Sequence, residues 1–512
     1  MLRKRAFKVY KFVDLCILET VWVIQGRRFT MKFYGCTLES AHEIIRGLPS
    51  GERYQLRSIK EYLTSEDNRV CALYGLRRTG KTVLMRQAVQ WLISERSVPA
   101  EDIVYLTVQA GKIASVVQIC EELRKTKCKY VFIDEASWCS DFLSGSSVLY
   151  DSITTVHGKK VVIAGTNLVS IYVARKRAMF DRVRSIKVHY LTFYEHCLFR
   201  GVSPTYERFK RYLEVGGLFQ EHNFMAYIQD SVVEHLRETL NDKDTVALYP
   251  WIDAAEYRDP LAVINNILLY AVGTYIDEKN LVSQYKFQYE RNCGLNAEIV
   301  ERLKEYLETP DLFKRGIKHA EVEAFTDFLR DCGLLLTLDN IYRGGSSRES
   351  KKYYLTIPFI RYAYTQWAFD LDGIEDPGVR GSLLGGLTEV CAISEYALAY
   401  PEDRIYFWRQ TVDGTTLECD LVVTDYGKTE FLKPGKAFEI KASSNSSRGQ
   451  RGYQKISGIH PEYLIPRENC GLYGGEAIAS WVYQLGAKVY QKQKEPGRTS
   501  AFGDLRGWNV NN

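Results

Sequence analysis

The sequence predicts a multidomain α/β protein, and three observations support this fold class. First, the short apolar run Val70–Tyr74 is followed by a glycine-rich loop and then by apolar residues at helical spacing. Second, the apolar run Ile103–Val108 and the run Tyr130–Glu135, which ends in two acids, are typical of strands buried in a parallel sheet. Third, helix-like and strand-like segments occur together again beyond about residue 376. With 512 residues, the chain has room for about two to four domains.

The glycine-rich segment after Val70–Tyr74 fits the pattern G-x-x-x-x-G-K-T without a mismatch. Glycines let backbone N–H groups turn toward phosphates, and the helix that begins at the end of the loop adds a partial positive charge. Lys81 is expected to reach the β- and γ-phosphates, and the Thr82 hydroxyl to bind Mg²⁺. We therefore predict a P-loop that binds ATP with Mg²⁺. The predicted ATP-binding residues are Gly75, Leu76, Arg77, Arg78, Thr79, Gly80, Lys81 and Thr82.

Two acidic residues at the end of the predicted strand Tyr130–Glu135 indicate the second half of this site. Asp134 is expected to hold Mg²⁺ through its water shell, and Glu135 to orient and activate the attacking water. An ordinary acidic pair at the end of a strand is the alternative. The position of the pair, about fifty residues after the loop in an α/β pattern, favours the catalytic interpretation.

A further apolar strand is predicted over Lys160–Ala164, and two polar residues follow it closely. A polar side chain at this point would lie between the two nucleotide-binding strands and could sense the γ-phosphate. Either Thr166 or Asn167 is the candidate, and an ordinary turn is the alternative.

The run of residues 175–184 is basic and helix-like, and a strand is predicted after it over Ile186–Leu191. An arginine in this run could stabilise the charge of the transition state, as arginine fingers do. Arg182 is our candidate. A solvated helix face is the alternative interpretation of the same charges.

Charge and cysteine content limit the class of protein. Lys and Arg number 68 and Asp and Glu 63, which leaves a net charge of +5, so any contact with nucleic acid must come from a local patch. The twelve cysteines include no Cys-x-x-Cys pair, which favours free thiols in a reducing compartment. The apolar segment Phe12–Ile24 contains Asp14 and Glu19 and is too short to span a bilayer. We therefore expect a soluble, cytoplasmic protein without a membrane partner.

Five segments occur in the order and spacing of one prokaryotic family. They are GLRRTGKT (75–82), KYVFIDEAS (129–137), AGTN (164–167), MFDRVRSIKVHYLTFYEH (179–196) and YLEVGGLFQE (212–221). Together they resemble AAA-type ATPases that carry a C-terminal domain similar to PD-(D/E)XK restriction endonucleases. The resemblance covers roughly residues 50–460. It implies an AAA-like core, a helical and winged-helix middle and a nuclease-like α/β C-terminal domain.

The middle of the chain carries a weaker pattern. Apolar spacing predicts helices over 223–238, 261–277, 296–307 and 319–333. Two strands are predicted after them, 334–338 and 352–355, across a polar loop with a basic tip at 342–352. This layout suits a winged helix whose tip contacts phosphates, and a plain packing module is the alternative. Members of the family usually have an acid at the position that Ile357 occupies in this chain. Any function that depends on that acid is therefore not expected here.

The C-terminal region contains candidates for a second site. A helix is predicted over 383–398, and strands over 404–409, 417–423 and 437–441. Glu439 and Lys441 share one face of the last strand because side chains alternate, while Asp420 lies on the strand before it and Glu389 on the helix. Metal-assisted phosphodiester hydrolysis needs carboxylates for Mg²⁺ and a lysine for the developing charge, so we expect these four residues to converge. Such folds are often kept for binding, and cleavage is left open.

The predicted organisation follows from these segments. The divisions are an unassigned N-terminal extension (1–50), a P-loop ATPase core (51–200), a helical lid-like segment (201–260), a winged-helix-like domain (261–375), a nuclease-like domain (376–490) and a C-terminal tail (491–512).

The leading functional hypothesis is an ATPase whose nucleotide cycle controls a DNA-directed, nuclease-like module. One alternative is a switch that does not cleave and binds nucleic acid or a protein partner through the C-terminal domain. Another is a scaffold that binds ATP with negligible turnover. ATP and Mg²⁺ are the expected cofactors, and DNA is a candidate partner. A homo-oligomer is compatible with an AAA-type core, but the sequence identifies no subunit interface.

Overall fold

The computed structural model describes about half of the chain. The described residues are 19–24, 27–32, 36–49, 51–109, 114–165, 179–219, 335–341, 351–355, 377–401, 403–412, 415–424, 436–441, 453–454, 461–465 and 476–492. The predicted middle helices, as well as Thr166, Asn167 and Ile357, lie outside these ranges.

The N-terminal half contains a hairpin and a six-stranded sheet. Its strands are β1 (Glu19–Ile24), β2 (Arg27–Lys32), β3 (Cys36–Glu39), β4 (Val70–Tyr74), β5 (Ile103–Val108), β6 (Tyr130–Asp134), β7 (Lys160–Ala164) and β8 (Val183–Lys187). Its helices are α1 (Ala41–Ile44), α2 (Gln55–Thr64), α3 (Lys81–Ser94), α4 (Val116–Arg124), α5 (Phe142–Gly145), α6 (Phe193–Arg200) and α7 (Tyr206–Val215). Short 3₁₀ and π turns occur at Ala100–Asp102, Ala136–Trp138 and Leu149–Thr154.

The six strands have the order β3-β5-β6-β7-β4-β8. All neighbouring pairs are parallel except β3 with β5. The strands β1 and β2 pair only with each other, in a separate antiparallel hairpin, and are not part of this sheet. The strand β4 lies between β7 and the edge strand β8, so the glycine-rich loop that follows it begins one strand in from this edge of the sheet.

Both faces of this sheet are covered, which explains why its central strands are continuously apolar. On β4, Val70, Ala72 and Tyr74 pack into one core, while Cys71 and Leu73 pack into the other. The first core also contains residues of α4, and the second contains residues of α2 and α3. This three-layer arrangement is the one that parallel sheets adopt.

The strands β4, β5 and β7 have the bounds that the sequence predicts, and β6 ends at Asp134, one residue before the predicted end, because Glu135 adopts a left-handed conformation. Two other expectations need correction. A helix is predicted over residues 175–184, and the structure describes residues 179–184 of this run. The prediction is wrong there, since 179–182 form a turn and β8 begins at Val183. The strand predicted over Ile186–Leu191 is shifted toward the N-terminus. Backbone pairing with β4 draws Val183 into the sheet, and beyond Lys187 the chain leaves it.

The N-terminal extension also contributes to the core sheet. The strand β3 pairs with β5 over four residues, from Cys36 opposite Val108 to Glu39 opposite Tyr105. The Glu39 carboxylate accepts a hydrogen bond from Thr107 and pairs with Arg86 of α3. The six-stranded sheet therefore includes residues before 51, from the segment that the sequence left unassigned.

The C-terminal part is a seven-stranded sheet among the described residues, with the order β10-β9-β11-β12-β13-β14-β15. Its strands are β9 (Leu335–Asn340), β10 (Lys351–Leu355), β11 (Arg404–Val412), β12 (Thr415–Thr424), β13 (Lys436–Ile440), β14 (Glu462–Ile465) and β15 (Glu476–Ala477). Two helices, α8 (Pro377–Ala399) and α9 (Ile478–Lys492), complete this part. These elements confirm the predicted helix and the three predicted strands of the region.

The predicted hairpin, in contrast, belongs to a different unit from the one expected. Its strands β9 and β10 pair with each other, and β9 then pairs with β11 in parallel, with Asp339 opposite Tyr406. The predicted boundary near residue 375 therefore does not separate these strands from the C-terminal sheet. A hairpin is specified by local sequence, but the sheet that it joins depends on pairing with a strand about seventy residues later.

The two sheets are connected through helices. The position that a Cβ atom would take on Gly486 of α9 lies 2.7 Å from Tyr194 Cβ of α6, so the two helices approach more closely than a larger residue would allow. The Phe193 and Tyr483 rings lie 6.2 Å apart, and the Tyr490 hydroxyl donates a hydrogen bond of 3.0 Å to the carbonyl oxygen of Glu52.

Two remaining expectations concern cysteines and membranes. The eight cysteines among the described residues are all buried and form no disulfide, which agrees with the expected free thiols. Within the same ranges, no helix has the length and apolar character needed to cross a bilayer.

Candidate functional sites

The glycine-rich loop, Gly75–Thr82, connects β4 to α3. Its first glycine has φ +150°, and a Cβ atom there would lie 2.2 Å from the carbonyl oxygen of Val188. The later glycine, Gly80, has φ +93° and is the N-cap of α3. Both positions therefore need glycine, one for close approach of the backbone and the other for its conformation.

Lys81 lies inside this loop and is buried. Its ammonium group donates hydrogen bonds to the carbonyl oxygens of Gly75 at 2.8 Å and Leu76 at 2.7 Å. Burial lowers the pKa of Lys81 to about 8, although the carboxylates of Glu135 and Asp134 act in the opposite direction. The charged end of the lysine is thus placed in the loop, within electrostatic range of both strand-end acids.

The two acids differ in environment. The Asp134 carboxylate is buried and accepts hydrogen bonds from the Tyr105 hydroxyl at 3.1 Å and from the Glu135 backbone at 3.0 Å. Glu135 follows with φ 55°, a left-handed conformation that few residues other than glycine adopt. Such strain is common at functional sites because it fixes the direction of a side chain. The loop and the end of β6 together provide a lysine, a hydroxyl and two carboxylates, a donor set that fits a phosphate group with Mg²⁺.

Arg53 is a residue of this site that the sequence analysis missed. Its guanidinium donates 2.6 Å hydrogen bonds to the carbonyl oxygens of Thr79, in the loop, and His189, and a 3.0 Å bond to that of Tyr190. It also forms a bidentate ion pair with Glu195 of α6, at 3.2 and 3.1 Å. Arg53 and Glu195 are both buried. The sequence gave no signal for this role, because a single basic residue just before a helix is common on protein surfaces.

Arg182 lies on the surface of the sheet domain. Its guanidinium pairs with the Asp151 carboxylate at 3.2 Å and lies 5.8 Å from the centre of the Tyr150 ring. Its backbone carbonyl accepts a hydrogen bond from Val70 at the start of β4. Arg182 therefore lies on the surface, at the end of β4 that is remote from the phosphate loop. A role for it in stabilising transition-state charge stays a proposal.

The four predicted C-terminal residues lie together. The Lys441 ammonium contacts the Glu439 carboxylate at 2.7 Å and the Asp420 carboxylate at 3.3 Å. Asp420 also accepts a 2.8 Å hydrogen bond from the backbone N–H of Ile440. The carboxylate oxygens of Glu389, Glu418 and Asp420 lie within 4.8 Å of one another. We call Glu389, Glu418, Asp420, Glu439 and Lys441 the carboxylate cluster.

Several members of this neighbourhood were not predicted. Glu418 precedes Asp420 by two residues on β12, so strand alternation could have identified it. Lys352, on β10, pairs with both Glu389 at 2.9 Å and Glu418. The Tyr354 hydroxyl donates a 2.6 Å hydrogen bond to Glu389, and Arg409 of β11 pairs with Glu418 at 2.6 Å. No local pattern indicated the last three residues, since the sheet brings them in from other strands.

The charges in this cluster shift its protonation. Burial and the neighbouring Asp420 raise the pKa of Glu439 to about 8, and burial together with Glu389 raises the pKa of Asp420. Burial acts against ionisation of Glu418 as well, but Lys352 and Arg409 outweigh it and lower the pKa of Glu418 to about 2. Carboxylates that are costly to hold together favour binding of a cation.

Comparison with known proteins supports one part of this description. Residues 67–197 match a family model described as an AAA domain. A comparison with curated protein sequences finds no match. The structure of the S. cerevisiae Hsp104–ADP complex is similar at 14% sequence identity and a TM-score of 0.25. The alignment covers 57% of this chain and 42% of the Hsp104 chain.

Two further solved structures are similar over part of the chain. Hsp104 with ATPγS and FITC casein aligns with 53% of this chain and 52% of its own, at 14% identity and a TM-score of 0.27. The Aeropyrum pernix ORC1 protein in complex with DNA aligns with 64% of this chain and 96% of its own, at 13% identity and a TM-score of 0.24. The chain thus covers about half the length of the Hsp104 chains, and scores this low carry no functional argument.

The loop geometry, the acids at the end of β6 and the domain match together define a P-loop domain of the AAA type. This domain includes at least residues 67–197. Proteins with such domains bind ATP, typically with Mg²⁺. The C-terminal sheet lies outside the matched region.

The environment of Lys81 predicts how ATP affinity depends on pH. Bound phosphates favour the charged lysine, so ATP binding raises its pKa above the value of about 8 in the free protein. Below that pH, Lys81 is charged in both states and affinity is constant. At higher pH, binding requires uptake of a proton, and the dissociation constant should rise by up to about ten-fold per pH unit.

A fluorescent ATP analogue titrated between about pH 7 and about pH 9.5 measures this dependence. The Lys81→Arg variant is the matched control, because a guanidinium stays charged across the range and its affinity should not change with pH. A wild-type dissociation constant that stays flat through pH 9 would show that Lys81 does not titrate as its burial implies.

Proposed function

We propose that the protein binds and hydrolyses ATP and that this cycle controls a DNA-directed, nuclease-like module formed by the C-terminal sheet. The observation that carries the first half is the position of Lys81. Its ammonium group lies within the glycine-rich loop and within electrostatic range of Asp134 and Glu135. A lysine, a phosphate loop and a paired acid at this relative placement are the parts that ATP hydrolysis requires.

Each residue has a distinct proposed task. Lys81 exchanges its loop carbonyls for phosphate oxygens, and backbone N–H groups of Gly75–Thr82 orient the phosphates. Thr82 and Asp134 would hold Mg²⁺, which neutralises charge that develops on the phosphates. Glu135 positions and deprotonates the attacking water. Asn167 stays a candidate for a contact made in the transition state. Arg182 stays one only for nucleotide bound by a second copy of the chain, because it lies at the end of β4 remote from the loop.

The second half of the proposal concerns communication between the sheets. Glu395, on α8, accepts a 2.9 Å hydrogen bond from the backbone N–H of Phe193 at the start of α6 and a 3.1 Å bond from the Tyr212 hydroxyl. Burial raises the pKa of Glu395 to about 8. The same helix carries Glu389 of the carboxylate cluster. A movement of α6 would therefore displace a helix that contributes to the second site.

The proposal of a nuclease-like module rests on the carboxylate cluster. Carboxylates that surround one position could hold Mg²⁺ or Mn²⁺, which would activate water for attack on a phosphodiester bond. Lys441, paired with Asp420 and Glu439, would stabilise the developing charge or position the nucleophile. The side chains of Glu389 and Glu418 are 23% and 28% exposed, so a ligand could approach them from solvent.

One observation favours a second candidate function, a switch that binds DNA or a protein partner without cleaving. The acids of the cluster are already paired with Lys352, Arg409 and Lys441. A network that is neutralised by the protein itself has less need of a metal ion. In that case the nucleotide cycle would control binding through the same helix.

Glu135→Gln should separate ATP binding from hydrolysis. The amide keeps the size of the side chain and removes the base, so ATP affinity is retained while turnover falls by about 10²- to 10⁴-fold. Phosphate release and equilibrium binding of a labelled ATP analogue give the two quantities. The variant Glu121→Gln, at an exposed position of α4, is the control and should hydrolyse ATP at the wild-type rate. Equal turnover in Glu135→Gln and wild type would assign Glu135 a structural role, and an inactive wild type would favour the scaffold.

Asp420→Ala tests the second site in a cleavage assay. Removal of a carboxylate that contacts Lys441 and borders two other acids should abolish DNA cleavage in Mg²⁺ or Mn²⁺. Labelled single-stranded, duplex and forked DNA serve as substrates, with and without ATP. The control is Glu462→Ala, which removes an exposed carboxylate from β14 of the same sheet and should leave cleavage intact.

Two outcomes would contradict the nuclease-like assignment. Cleavage by Asp420→Ala at the wild-type rate would locate any nuclease activity elsewhere. No cleavage by wild type, combined with ATP turnover that responds to DNA, would select the switch.

A further inference from the structure

Lys352, in the hairpin formed by β9 and β10, occupies an unusual position for a basic residue. Its side chain is 13% exposed, and its ammonium group contacts Glu389 at 2.9 Å and also pairs with Glu418. These two acids, with Asp420, form the set whose carboxylate oxygens lie within 4.8 Å of one another. The ammonium group is therefore placed at the acids that would ligate a metal ion.

The surrounding sheet fixes the lysine in this place. Backbone pairing sets Lys352 opposite Leu338 of β9, and β9 continues into the sheet through β11. The ammonium group lies 5.3 Å from the centre of the Phe407 ring and 5.9 Å from that of Tyr354. Such ring faces favour a cation, and the Tyr354 hydroxyl also bonds to Glu389.

One carboxylate oxygen of the cluster, on Glu439, has no hydrogen-bond partner. Glu439 is 3% exposed, and its Oε1 contacts Lys441, which also contacts Asp420. Its Oε2 makes no hydrogen bond. A buried carboxylate oxygen normally has a partner, so this atom of the cluster can still accept a cation as a ligand.

We propose that Lys352 is a built-in competitor for a divalent cation, and that its ammonium group and Mg²⁺ or Mn²⁺ bind the carboxylate cluster in mutually exclusive states. The inference rests on the metal site proposed above. In the metal-free state Lys352 neutralises Glu389 and Glu418 and keeps the acids together. A divalent ion needs the same oxygens as ligands, and two cations at this separation repel each other. Metal binding therefore requires Lys352 to leave the acids.

Competition of this kind makes a quantitative prediction for Lys352→Met. Methionine keeps most of the side-chain length and removes the charge, so Mn²⁺ should bind about ten-fold more tightly than it does to the wild type. Calorimetric titration of the full chain with Mn²⁺, in the absence of nucleotide, measures the affinity. Lys352→Arg, which keeps the charge, should bind Mn²⁺ no more tightly than wild type. Asp420→Ala in the Lys352→Met background should remove the signal, which assigns it to this cluster.

Thermal unfolding provides a second readout in case Lys352→Met is unstable. Unneutralised acids destabilise this variant, and Mn²⁺ should raise its melting temperature by more than it raises that of wild type. The neighbouring variant Lys351→Met is the control, and its Mn²⁺ affinity should equal that of wild type.

The possible results separate the inference from the function on which it rests. Equal Mn²⁺ affinity for wild type and Lys352→Met overturns the competition while the metal site stands. Weaker DNA binding with unchanged Mn²⁺ affinity would instead make Lys352 a phosphate ligand, which also overturns it. Failure of both proteins to bind Mn²⁺ refutes the competition together with the proposed metal site, and leaves the ATPase proposal untouched.

Discussion

The buried ion pair between Arg53 and Glu195 is the interaction on which the arrangement of this protein depends. Arg53 binds the loop carbonyl of Thr79 and two carbonyls of the segment that follows β8, so it holds the phosphate loop against the end of the sheet. Glu195 neutralises it from α6. Removing either partner would leave an uncompensated buried charge, which costs about 3–5 kcal/mol. The loop and α6 are thus positioned by one pair of side chains.

The same helix continues the connection toward the C-terminal sheet. The Glu195 carboxylate accepts a hydrogen bond from the backbone N–H of Thr192, and the Thr192 hydroxyl accepts one from the backbone N–H of Glu195, in a capping box that fixes the start of α6. The next N–H group, that of Phe193, donates to Glu395 of α8. Because α8 also carries Glu389, hydrogen bonds and one rigid helix join the phosphate loop to the carboxylate cluster. This continuous chain of contacts is the physical basis for proposing that the two sites communicate.

The sequence predicts some of this structure and not the rest, for physical reasons. Strands such as Val70–Tyr74 are identifiable because burial on both faces makes them continuously apolar. Glu439 and Lys441 are identifiable because strand alternation is a local rule. Arg53 and Lys352 act through partners far along the chain, about 140 residues away for the Arg53–Glu195 pair and about 37 for Lys352–Glu389. Such pairs form only when the sheets assemble, and no local pattern in a single sequence predicts which distant residues meet.

Hydrogen exchange of the full-length Glu135→Gln variant, with and without Mg²⁺-ATP, tests the connection between the sites most directly. Our account predicts slower exchange in the phosphate loop and also in peptides of α8, with Pro377–Ala399 protected on ATP binding. In a Glu395→Ala background, the protection of α8 should disappear while that of the loop remains. Protection confined to the loop and β6 in the Glu135→Gln variant would show instead that the two sites are independent.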